Sequence, residues 1–472
     1  MATVTTRRLS VPPLNFGPVR VELGVPEAFP SEVLAEADAA AAAPTMPDQD
    51  ATDIPFVTVD PPGSMDLDQA VHLAANAGGY RVRYAIADVA AFVRPGGAID
   101  TEARRRGQTR YSPDRRIALH PPVLSEGAAS LLPDQVRPAV LWTIDLDAAG
   151  AVTAAGVRRA RIASRAKLDY PGLQVSIDAG RPPEALALLP TVGELRIAQA
   201  RARHAIELDL PDQEVTPAQD GGWTIAFRGQ LAVERWNAQI SLLTGMAAAT
   251  IMLTGGVGLL RTMPPPRGSD VAQLRRIAPA LGVDWPDGAQ PGDVISAVSG
   301  SGNPEHAAFL DQAARLLRGA GYTAFDGTPP EQPDQSAVAA PYAHVTAPLR
   351  RLADRFTTEA CLALAAGQRP PDWARRALPE LPELMAGSDR HANELERACV
   401  DLTEAWLLSG REGTEYDAVV VEANPDRATV VLDEPAVRAP CDGAGLPLGE
   451  RIRVRLELAD TDKRRVRFSR AG

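Results

Sequence analysis

Alternation is the first signal along the chain. Tyr80-Arg81-Val82-Arg83-Tyr84-Ala85-Ile86 alternates as a strand with one buried face should. Phe56-Val57-Thr58-Val59, ending at Asp60, and Val140-Leu141-Trp142-Thr143-Ile144 are β-branched or aromatic runs that predict further strands. Helical patterns follow near 189–207, 230–254, 269–281, 304–320 and 348–366. Past Glu412 four short strands are predicted, over 417–421, 428–432, 451–455 and 465–468. Turn signals at Asn424-Pro425-Asp426 and Asp442-Gly443 separate them. At the front, Ser31 follows Pro30 as an N-cap, and Pro44-Thr45-Met46-Pro47 stops the helix near residue 43. The order predicts an α+β chain: a short helical appendage over 1–50, a main domain over 51–412, and a small β-barrel of the OB type over 413–472.

Composition narrows the field. At 472 residues the chain is too long for one ordinary domain, and 45% hydrophobic with 23% charged residues excludes disorder or a disulfide scaffold. Cys361, Cys399 and Cys441 are far apart and form no CxxC, which fits a reducing cytoplasm. Met1 to Arg8 lead into no apolar core, so no signal peptide is expected. Ile240 to Leu260 carries no charge, yet its glycines and hydroxyls predict a core helix ending at Gly255-Gly256 rather than a membrane span. A net charge of −11 repels polyanions at long range, so any nucleic-acid site must be a local basic patch.

Two places offer chemistry. The first is Asp60-Pro61-Pro62-Gly63-Ser64-Met65-Asp66-Leu67-Asp68-Gln69. Asp60 ends a strand, and Asp66 and Asp68 are two apart, so an extended backbone puts both on one face. The residues alone allow an acidic surface turn or a carboxylate site for Mg²⁺. The second is the barrel, where 451–470 holds eight basic and three acidic residues. Arg451, Arg453 and Arg455 alternate with apolar residues and fall on one strand face. That pattern fits a single-stranded RNA track or a charged, exposed edge strand. Arg104-Arg105-Arg106 likewise reads as a solvated helix face or a phosphate contact.

Phe56 to Asp68 resembles the first catalytic motif of the ribonuclease II (RNB) exoribonuclease family. Four further segments match in order: Tyr84-Ala85-Ile86-Ala87-Asp88-Val89, Leu124-Ser125-Glu126-Gly127-Ala128-Ala129-Ser130-Leu131, Ala163-Ser164-Arg165-Ala166-Lys167-Leu168-Asp169-Tyr170, and Thr346-Ala347-Pro348-Leu349-Arg350-Arg351-Leu352-Ala353-Asp354. The resemblance implies an RNB catalytic domain, a mixed β-sheet with helices, followed by an S1-type RNA-binding barrel. It implies a Mg²⁺-dependent enzyme with one or two ions that removes 5′-nucleotides from a single-stranded RNA 3′ end. By position, Asp60, Asp66 and Asp68 hold metal and water, with Gln69 as a neutral fourth ligand where the family has an aspartate. Arg350 contacts the scissile phosphate, helped by a helix that starts at Pro348, and Arg351 is a second RNA contact. Tyr111 clamps the last nucleotides and Tyr170 sets product length. Two departures, Gln69 and Leu242-Leu243 in place of a Glu-Glu pair, leave a second expectation open: a catalytically weakened RNA-binding protein on the same fold. Residues 1–50 are too few for the two cold-shock domains the resemblance implies.

Overall fold

The computed structural model describes residue 11 and residues 13–218, 221–424 and 426–471. The first eight residues, on which the signal-peptide reading rests, and Pro425 of one predicted turn lie outside the described residues.

Two short helices open the chain, α1 (Gly17–Glu22) and α2 (Ser31–Ala42). Ser31 is the first residue of α2 rather than its cap; Pro30 occupies that position. The helices are built into the body. Phe16 is fully buried, and Val33 and Ala37 share a core with Phe56, Ala85 and Leu141. The main sheet holds β1 (Phe56–Asp60), β2 (Gln69–Asn76), β3 (Gly79–Ala87), β6 (Val136–Asp147) and β7 (Val152–Asp169). These five close into a barrel in the order β1-β2-β3-β6-β7. Its pairs are antiparallel except β1 with β7, which run parallel with Asp60 opposite Asp169. Alternation sends Val57, Val82, Tyr84 and Trp142 to one face, against α6 (Ala232–Gly255), and their neighbours Phe56, Ala85 and Leu141 to the other, against α2.

Three more helices follow the chain order: α3 (Ala98–Arg106), α4 (Tyr170–Asp178) and α5 (Leu189–Ala202). Between α3 and β6 lies the hairpin β4 (Arg110–Ser112) and β5 (Arg115–Ile117). The uncharged stretch in α6 supplies Ile240, Leu243, Ala247 and Met252 to the core. This helix ends where expected, with Gly256 left-handed at φ 73°. It is the one described helix long and apolar enough to cross a membrane, and half of its most apolar window is buried in the fold.

A second closed barrel of five strands spans Glu415–Ala423, Arg427–Leu432, Val437–Asp442, Arg451–Asp460 and Arg465–Arg470. Four strands were expected. The extra one, Val437–Asp442, contains Pro440, a residue that argues against a strand, but Val437, Ala439 and Cys441 alternate inward. The barrel packs on the long helix Leu381–Leu408, whose Ala405 and Leu408 join its core.

Candidate active site and nucleic-acid interface

The acidic segment is held by its own sequence. Pro61-Pro62-Gly63-Ser64 makes a turn in which Ser64 N donates to Pro61 O at 3.2 Å, and Gly63 takes φ 82°. Proline second and glycine third suit such a turn, because only glycine reaches positive φ without strain. Leu67 then points into the core, leaving Asp66 and Asp68 on the opposite side of the chain. Ser130 clamps the segment: its Oγ accepts from Leu67 N at 3.0 Å and donates to Met65 O at 2.6 Å. This gives the 124–131 motif a structural task that its residues alone did not reveal.

Asp60 and Asp68 carry the electrostatic stress. Asp68 is 4% exposed. Its Oδ1 accepts from Leu349 N at 2.8 Å, and its Oδ2 lies 3.6 Å from Arg350 Nε. Burial nevertheless raises its pKa well above the carboxylate range, with Asp354 and Asp66 adding to the rise. Burial pushes the Asp60 carboxyl up to about 7, although Arg350 and Lys167 oppose it. Its Oδ2 is buried with no hydrogen-bond partner. Two desolvated carboxylates, both in the field of Arg350 and Asp66 and one with an orphaned oxygen, lack positive charge.

Asp66 differs from expectation. Its carboxylate pairs with Arg116 of β5, whose other amino group reaches Glu126 at 2.5 Å. Nothing in the alternation of Arg115-Arg116-Ile117 marked Arg116 as a partner. Among the described residues no three carboxylate, imidazole or thiol groups are placed to hold a metal ion together. The predicted trio is therefore not assembled, and Asp60 and Asp68, with the orphaned oxygen and the uncompensated burial, are the carboxylates that fit a hard divalent ion best.

Gln69 is not a free ligand. Its Nε2 donates to Thr346 O at 2.7 Å, and its Oε1 accepts from Tyr84 OH at 2.5 Å. Ser241 and Thr346 hydroxyls meet at 2.8 Å beside it. The amide tethers the 346–351 loop from below. Arg351 tethers it from the other side, in a two-pronged pair with Asp354, which is fully buried and also accepts from Ala347 N at 2.7 Å. Arg351 therefore holds the loop through Asp354. The helix expected from Pro348 begins at Leu352, since Asp354 fastens the residues before it into a loop. That loop presents Arg350, whose side chain is 52% exposed.

Both tyrosines lie in the field of the acidic residues. Tyr111 on β4 is 51% exposed and lies in the field of Arg350, Asp66 and Asp68. Tyr170 starts α4 one residue past Asp169, the register partner of Asp60, and its OH accepts from Asn237 Nδ2 at 3.1 Å. Burial and Asp60 raise its pKa to about 12. Arg105 is exposed beside Glu102, as a solvated helix face would have it, whereas Arg104 is partly buried between Asp100 and Glu380 and Arg106 is buried against Glu102.

On the barrel, Arg451, Arg453 and Arg455 do share one exposed strand face. Their charge is matched: Arg451 pairs with Asp433 at 2.8 Å, Arg453 with Glu415 and Asp417 at 3.4 Å, and Arg455 with Glu415 at 3.0 Å. The strand is enclosed in a barrel, so it is not an edge.

The RNB domain profile matches residues 48–363. The chain belongs to the RNB family. A second profile, the RNase II-type exonuclease C-terminal S1 domain, matches 414–471. This RNB chain is 26% identical over 452 residues to ribonuclease R of Aquifex aeolicus, covering 87% of itself and 63% of that protein. It spans 43% to 63% of the length of three curated relatives. Ribonuclease R of Mycoplasma genitalium superposes with a TM-score of 0.85 at 20% identity, over 97% of this chain and 78% of that one. That protein has also been solved with ribose-methylated single-stranded RNA and with double-stranded RNA. Yeast Ssd1, described as a pseudonuclease, superposes with a TM-score of 0.69 at 17% identity, over 90% of this chain and 54% of that one. These likenesses establish the RNB and S1 folds, and they include both a nuclease and a protein without activity.

Proposed function

We propose that this RNB protein is a Mg²⁺-dependent exoribonuclease that hydrolyses single-stranded RNA from the 3′ end to nucleoside 5′-monophosphates. One observation carries the reading: the buried, partnerless Asp60 Oδ2 and the buried Asp68 both lie in the field of the exposed Arg350 guanidinium. Asp60 and Asp68 would hold Mg²⁺, with Asp66 joining if Arg116 releases it. Such a cation would supply positive charge at the phosphoryl oxygens and make water acidic enough to attack at neutral pH.

The chain's own groups do the rest. Arg350 donates to the non-bridging oxygens of the scissile phosphate, and Asp68 keeps its guanidinium aimed there. Tyr170 and Tyr111 stack the terminal bases whatever their identity, which suits a sequence-blind enzyme. Gln69, Ser241 and the Arg351–Asp354 pair hold the 346–351 loop, so that Arg350 and Leu349 N meet Asp68 in fixed geometry. The S1 barrel contacts RNA farther from the end. Its arginines exchange Glu415, Asp417 and Asp433 for phosphates.

The alternative is an RNA-binding protein with weakened catalysis. It draws on the Arg116–Asp66 pair and on the amide of Gln69 being committed to Thr346 and Tyr84. End-labelled poly(A) incubated with Mg²⁺ separates the two. Mononucleotide release supports the enzyme; RNA that is bound and stays intact supports the alternative.

A further inference from the structure

Away from the cleft, α5 carries buried positive charge that nothing nearby balances. Arg196 is 3% exposed. Its Nη1 donates to Gly150 O at 2.7 Å, while its Nε is buried with no partner. Arg203, the C-cap of α5, lies seven residues on and so on the same helix face. Its Nε reaches only Val338 O, at 3.5 Å. Among the described residues, neither guanidinium has a carboxylate within ion-pair distance. Burial and the neighbouring Arg203 charge lower the Arg196 pKa to about 10, and burial lowers that of Arg203. A desolvated cation is tolerated when a counter-charge is at hand, and the described residues offer none here.

Both arginines line one cavity of about 610 Å³, a volume within the range of small-molecule sites. The start of β7, the second half of α6 and the end of the Leu352–Ala365 helix enclose it. Among the described residues no aspartate or glutamate lines it, and Met246, Ala247, Ile251 and Leu364 give it an apolar wall. It is separate from the cleft. The Leu352–Ala365 helix starts beside Arg351 and ends at this cavity, a run of about 20 Å at 1.5 Å per residue.

We propose that this cavity is a second binding site, which takes a small phosphate-bearing molecule with an apolar body. Phosphate is the chemistry that fits. Two guanidiniums match its double charge, and their forked donors match its oxygens. The apolar body lies on Met246, Ile251 and Leu364. The site does not depend on the nuclease reading, because none of its residues belongs to the cleft.

Thermal unfolding of the full chain, without Mg²⁺ and at constant ionic strength, tests this with inorganic phosphate and phenyl phosphate as probes. A ligand that binds only the folded state raises Tm with concentration. Both probes raise Tm in the wild type. Phenyl phosphate acts at roughly tenfold lower concentration, because its ring is buried on the apolar wall. The shifts persist in Arg350→Met, which lacks the guanidinium of the cleft. They vanish in Arg196→Met and need roughly tenfold more ligand in Arg203→Met. Arg203 is only half-buried, so its variant decides the matter if Arg196→Met does not fold. No shift in the wild type, shifts lost in Arg350→Met, or shifts undiminished in Arg203→Met would each overturn the proposal.

Discussion

Asp68 and Gln69 are adjacent in the chain and opposite in role. On the proposed reading Asp68 holds the cation and aims Arg350, so Asp68→Asn should lower the cleavage rate by ~10²-fold or more. RNA affinity should change little, because it resides in phosphate and stacking contacts elsewhere. A rate within tenfold of wild type, measured on labelled poly(A), would remove Asp68 from the reaction. Gln69 looks from the sequence like a missing carboxylate, and the structure shows it as a tether between Tyr84 and Thr346. Gln69→Asp cannot donate to Thr346 O and places a second charge beside Asp68. It should therefore lower activity and cost about 1–3 kcal/mol of stability, read by urea unfolding. A gain in rate or in Mg²⁺ affinity would show instead that the position is a vacant ligand.

The helices and strands show what a sequence can and cannot disclose. Strands β1, β3 and β6 were legible because apolar β-branched residues alternate or cluster in them. Strand β7 was not, although it is 18 residues long. Its Val152 to Arg159 is rich in alanine and arginine and mostly exposed, so no buried face imposes alternation there. The acidic turn and the Arg350 segment were also legible, since each chemistry-bearing side chain lies in a compact motif. Their supports were not, because Arg116, Ser130 and Asp354 act across 50, 63 and 7 positions of the chain, and periodicity carries no trace of such pairings. The loop 346–351 gives the test at this scale. Arg351→Met strands the buried Asp354 charge, so it should destabilise the protein by ~3–5 kcal/mol in urea unfolding. Unchanged stability with weakened RNA binding would return Arg351 to the RNA contacts.

At the level of the whole molecule, the S1 barrel is fastened to the RNB body through polar contacts. Gln312 Nε2 donates to Val421 O at 2.6 Å, and Arg438 pairs with Asp311 at 2.5 Å. Glu404 accepts from Gln213 Nε2 at 2.6 Å and from Arg438 N at 2.9 Å, yet burial raises its pKa to about 7. Its folded form holds a proton that the unfolded chain gives up above the ordinary value of 4.5. Stability should therefore fall as pH rises from about 4.5 to 7 and level off above, by on the order of 3 kcal/mol from this group. Glu404→Gln should flatten that slope and be the more stable form at pH 8. Parallel pH profiles for the two proteins would contradict the assignment. The barrel and the cleft are proposed to act on one substrate, the barrel on the strand and the cleft on its end. The most direct test is a Mg²⁺ titration of the full chain on 5′-labelled single-stranded RNA, with products resolved nucleotide by nucleotide. The proposal predicts a ladder shortening one nucleotide at a time from the 3′ end, mononucleotides with 5′-phosphates, no products without the cation, and products formed ~10²-fold or more slowly in Asp68→Asn. RNA that is bound and stays intact at every Mg²⁺ concentration, or that is cut internally, would contradict it.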